Sequence, residues 1–102
     1  MINHIVLFWL RKNLTADEIS FFESHLKSLK QIPTVSTYNC GGPSNTPERS
    51  TIDRSYDYAL NLLIENIEAH DLYQEDPIHK DFIKQCSPLW TKVLIYDFDS
   101  SI

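Results

Sequence analysis

The chain has 102 residues, 42% hydrophobic and 23% charged, with a formal net charge of −5 at pH 7. These values fit one domain with one modest core and exclude a disordered chain, and no apolar run approaches the roughly 20 residues of a membrane-spanning helix. Residues 1–50 carry five Lys/Arg against four Asp/Glu, and residues 51–102 carry four against ten. Nucleic acid therefore finds no clustered basic surface, and the scattered carboxylates read as solvated surface rather than a calcium loop.

Met1-Ile2-Asn3-His4 lacks the basic start and cleavage site of a signal peptide, so a cytoplasmic location and no membrane partner are expected. Cys40 and Cys86 make no C-x-x-C pair and are expected as free, buried thiols. Residues 2–10 read as a strand, with His4, Val6, Phe8 and Leu10 on one face and Ile5, Leu7 and Trp9 on the other. Thr15-Ala16-Asp17-Glu18 matches a capping box, and Ile19, Phe22, Leu26 and Leu29 then recur at helical spacing until Pro33. Phe21 and His25 flank that stripe. Val35 to Cys40 reads as a second strand. An irregular loop follows from Gly41 to about Arg54, with no glycine pattern suited to phosphate.

Tyr56 to Ile64 alternates as a strand, with Tyr56, Tyr58, Leu60, Leu62 and Ile64 on one face and Asp57, Ala59, Asn61 and Leu63 on the other. A short helix from Asn66 to about Tyr73 stops at Asp76-Pro77, because proline disfavours helical backbone in the residue before it. Asp76 suits the cap and Pro77 the first position of the next helix, whose apolar stripe is Ile78, Phe82, Cys86 and Leu89. Pro88 is expected to bend or end its last turn. Val93 to Phe98 reads as the final strand. A polar corner with Tyr73 on one side and His79 on the other is a plausible place for chemistry. His79 should be mostly neutral if Asp76 spends its charge on backbone N–H groups. His4, His25, His70 and His79 are dispersed, with no two at i, i+4, so no metal site is expected, and His70 reads as solvent-facing.

The order β-α-β-β-α-α-β over residues 1–102 predicts a single α+β domain, a ferredoxin-like four-stranded antiparallel sheet with helices on one face. Its other face, carrying Ile5, Leu7, Trp9 and Leu63, is left apolar and bare, which implies a partner.

Asn3-His-Ile-Val-Leu-Phe at the start, Tyr56-Asp-Tyr-Ala-Leu, Tyr73…Asp76-Pro-Ile-His79 and Val93-Leu-Ile-Tyr-Asp-Phe98 together resemble the stress-responsive A/B barrel (Dabb) family. The resemblance spans essentially the whole chain. It implies a homodimer in which two ferredoxin-like sheets pair into a dimeric α/β barrel. A plant branch of that family closes polyketide rings without metal or cofactor. The resemblance to it implies His79 as general base, Tyr73 assisting and His4 in the same cavity. It also implies a pocket lined at Phe21, Phe22, His25 and Tyr58. Two positions depart from that branch, which has histidines where this chain has Tyr58 and Asp76. The expected function is a homodimer with a small, partly apolar cavity that binds a small apolar or carbonyl-containing molecule or is purely structural. The alternative is a cofactor-free acid/base enzyme using His79 with Tyr73.

Overall fold

The computed structural model describes residues 1–102. Strands β1 (Ile2–Leu10), β2 (Val35–Gly41), β3 (Tyr58–Ile64) and β4 (Trp90–Asp99) alternate with helices α1 (Ala16–Ser28), α2 (Ile67–Glu75) and α3 (Pro77–Cys86). The strands form one sheet in the order β2-β3-β1-β4, antiparallel at every step. This is the ferredoxin-like arrangement, with α1 crossing from β1 to β2 and the α2–α3 pair crossing from β3 to β4. No helix is long and apolar enough to cross a membrane.

Local chemistry sets the boundaries. The capping box forms: Thr15 Oγ1 accepts from the Glu18 N–H at 3.1 Å, and Glu18 Oε1 accepts from the Thr15 N–H at 2.9 Å. Asn66 caps α2 by accepting from the Ala69 N–H at 2.9 Å. Asp76 ends α2 and caps α3, its Oδ1 accepting from the Ile78 N–H at 2.8 Å. Two boundaries differ from the sequence reading. The strand β3 starts at Tyr58, because Asp57 is tied to the end of β1 by its N–H to the Phe8 carbonyl and its carboxylate to the Leu10 N–H. Pro88 lies not in α3 but in the tight turn Ser87–Leu89 after it, and that turn delivers the chain to β4 at Trp90, three residues early. The loop after Gly41 is irregular and largely exposed, braced by the Arg54 guanidinium donating to the Ser44 and Thr46 carbonyls.

The pleat of β1 turns Ile2, His4, Val6 and Phe8 toward the helices, where all are buried. Leu60, Leu62 and Ile64 of β3, Phe22 and Leu26 of α1, Tyr73 of α2, and Phe82 and Cys86 of α3 complete that core. Cys40 is exposed rather than buried, since β2 is an edge strand and the residue lies at its end. On the other face, Ile5, Leu7 and Leu63 are only half-buried, and β4 adds Leu94 with Tyr96 (55% exposed) and Phe98 (54%). The register sets Tyr96 beside Ile5 and Leu94 beside Leu7, so the apolar stripe runs across two strands.

Adjacent phenylalanines test the packing. Phe22 is 0% exposed, 5.5 Å from Phe8 and 6.0 Å from Phe82 between ring centroids, whereas Phe21 is 40% exposed. Phe22→Ala is expected to cost about 3–5 kcal/mol in urea unfolding, and Phe21→Ala under about 1 kcal/mol.

Candidate functional site

Three of the expected site residues converge. His4 stands on the inner face of β1, Tyr73 in the last turn of α2, and His79 in the first turn of α3. Tyr73 meets His79 at 4.7 Å and His4 at 5.7 Å between ring centroids, both edge to face. The three line a cavity of about 120 Å³ whose floor includes Phe8, Phe82 and Trp90. Ile83 and Ile95, the exposed residues of the lining, set its mouth between α3 and β4.

Each polar group in the cavity has a physical state fixed by its surroundings. His79 is held below the usual histidine range, first by burial and then by the nearby His4 and His70; the Gln74 carbonyl and Asp76 oppose this only in part. The direction agrees with the expectation that Asp76, engaged as a helix cap, leaves His79 neutral. Burial pushes the Tyr73 hydroxyl up, so it stays protonated and able to donate. No protein group hydrogen-bonds that hydroxyl. Nδ1 of His4 donates to Asp97 Oδ1 at 2.6 Å, which orients the ring.

The other expected residues lie elsewhere. Phe22 is packed inside the core, against Phe8, Phe82 and Tyr58. The Tyr58 hydroxyl donates to Glu23 Oε2 at 2.7 Å and faces an open groove of about 610 Å³ shared with Trp9, Arg11 and Ile19. Burial, then Glu23, pushes that hydroxyl up. The groove is the largest opening, but Tyr58 and Asp57 there are already bonded to protein groups. Phe21 and His25 stack on each other at 4.3 Å on α1, away from the cavity, where His25 Nδ1 donates to the Phe21 carbonyl and Nε2 lies 3.7 Å from Asp81 of α3.

Two residues of this region escaped the sequence reading. Asp97 is the partner of His4 across the β1–β4 ladder. An acid on the inward register of a strand, in line with Val93 and Ile95, was the available signal. His70 is not solvent-facing: it is partly buried, its ring 5.4 Å from that of His4. Its position three residues before Tyr73, on the same helix face, pointed there.

Residues 2–100 match the stress-responsive A/B barrel domain. No curated protein matches the chain significantly. Among solved structures, a dimeric ferredoxin-like protein of unknown function from Thermobifida fusca is 22% identical with a TM-score of 0.76, over 95% of this chain and 88% of that one. A protein of Arabidopsis thaliana is 17% identical with a TM-score of 0.81, over 100% of this chain and 97% of its own. Hydroxynitrile lyase from Passiflora edulis is 17% identical with a TM-score of 0.77, over 95% and 90%. At these identities the solved structures establish the fold alone. The match along nearly its whole length is what assigns the family, and the chain belongs to the stress-responsive A/B barrel domain family.

Proposed function

We propose that this protein works as a homodimer and that its interior cavity takes a small, partly apolar molecule bearing a hydrogen-bond acceptor, such as a carbonyl compound. One observation carries the ligand reading: Tyr73 lines the cavity beside His79, and its hydroxyl makes no hydrogen bond to any protein group. That free donor can pair with a ligand acceptor, a hydrogen bond worth about 0.5–1.5 kcal/mol. The aromatic floor suits the apolar body of such a molecule. A cavity of about 120 Å³ suits a single ring, close in size to an apolar cavity of about 150 Å³ that holds benzene.

Acid/base catalysis is the second reading, favoured by a neutral His79 beside a protonated Tyr73. His79 would take a proton from the carbon next to a carbonyl. The C–H electron pair then forms the C–C double bond of an enolate, and Tyr73 donates to the oxygen that gains charge. The dimer reading rests on the apolar face of Ile5, Leu7, Leu63, Leu94, Tyr96 and Phe98, and on solved structures of this fold described as dimeric. Two unpaired cysteines support a reducing, cytoplasmic setting.

Light scattering at micromolar concentration should give twice the 11.9 kDa chain mass. Leu7→Glu should return that mass to one chain, because it buries an unpaired carboxylate in the interface. A wild-type monomer would refute the dimer.

Titration with acetophenone, followed by NMR, should shift the Tyr73 and His79 ring resonances, and Tyr73→Phe should weaken binding roughly three- to tenfold. Unmoved cavity resonances would leave the domain purely structural. Deuterium entering the acetophenone methyl group, lost in His79→Gln, would support the acid/base reading.

His79 should titrate below about 6.5, since burial outweighs Asp76. The sign follows: below that value the unfolded chain binds the proton first, so stability falls as pH drops toward the folded pKa. Glutamine at position 79 should flatten this dependence. A His79 titrating above 6.5 would exclude the base role.

A further inference from the structure

We propose that His4, His70 and Asp97 form a binding site for a divalent first-row transition metal, of which zinc is the representative. One donor atom from each lies within 4.8 Å of the other two. The three come from β1, α2 and β4, so only the folded chain assembles them. Zinc bonds of about 2.0 Å at tetrahedral angles put ligand atoms roughly 3.3 Å apart, so the His4–Asp97 pair would open slightly and His70 would draw in as the metal enters.

Two of the ligands are preset. His4 is buried and already bonded to Asp97 at 2.6 Å, and the metal would replace the proton that now lies between them. The third, His70, is partly exposed on α2, and its side chain would turn to close the remaining distance. Asp71 Oδ1 stands 3.8 Å from His70 Nδ1 and adds negative charge near the cluster.

Access is also present. A pocket of about 120 Å³ is lined by His70 and Asp97 together with Ile2, Ile67, Phe98 and Asp99. It offers an entry path and room for water in the open coordination positions. Asp99 adds negative charge at its rim, in the more acidic half of the chain. Two imidazoles and one carboxylate select zinc or ferrous iron over magnesium or calcium, which prefer oxygen ligands throughout. The site shares only His4 with the interior cavity, because His70 and Asp97 lie outside that cavity's lining.

The test is a Co²⁺ titration of the full chain, read by its visible absorption, followed by displacement with Zn²⁺. One equivalent per chain is expected, unaffected by excess Mg²⁺. His70→Gln and Asp97→Asn should each weaken binding at least about tenfold, with the fold checked by circular dichroism. In the unaltered chain, bound Co²⁺ should shift or broaden the ring resonances of His4 and His70 together. Absence of stoichiometric binding would overturn the proposal. So would unchanged affinity in both variants, equal loss in His25→Gln, or paramagnetic effects confined to other histidines.

Discussion

The geometry around Tyr73 and His79 depends on the backbone of one residue. Asp76 has φ −62° and ψ 135°, extended values that a helix cannot continue through. Pro77 favours that conformation in its predecessor and forfeits no hydrogen bond at a helix start. The Asp76 carboxylate meanwhile supplies an acceptor for the Ile78 N–H. Tyr73 and His79 are six residues apart, and on one unbroken helix they would point roughly 120° away from each other. The break lets them meet ring to ring at 4.7 Å instead. It also commits the nearest carboxylate to backbone, so His79 answers mainly to burial.

His4 presents the opposite problem, a polar ring in an apolar core. It is 2% exposed, and such a buried polar group needs a partner to be tolerated. The antiparallel register supplies one by setting Asp97 directly across from it. Asp97 itself keeps contact with solvent, so the pair is dry on one side and wet on the other. His4 consequently belongs to two environments, the interior cavity with Tyr73 and the polar cluster with His70 and Asp97.

The fold was legible because its signals are local. The capping box at Thr15, the Asp76-Pro77 break and the alternation of residues 2–10 and 56–64 each act within a few residues, and each appears where expected except that β3 begins two residues later, at Tyr58. The bare apolar face was legible for the same reason, although its β4 portion, Tyr96 and Phe98, needed the pairing with β1 to be added. The site was legible where the chain itself bends, at Tyr73 and His79. It was not legible where distant strands and helices meet. His70 and Asp97 reach His4 from 66 and 93 residues away, through a register and a helix placement that no spacing rule encodes.

The separation of Tyr58 and Phe22 from the histidine cavity has a packing cause. Phe8, Phe22, Phe82 and Trp90 stack between sheet and helices with centroids 5.5–6.0 Å apart. That aromatic layer fills the middle of the interior. On one side it leaves the cavity of His4, Tyr73 and His79; on the other it leaves the open groove of Tyr58 and Glu23. These four aromatic side chains cannot shift aside without losing contacts on both sides, because protein interiors are close-packed. The size of any ligand held by Tyr73 is therefore set by Phe8, Phe82 and Trp90 rather than by the polar residues that would bind it. A cavity bounded in this way favours a compact ring over an extended chain, and its polar end dictates only where the acceptor atom must sit.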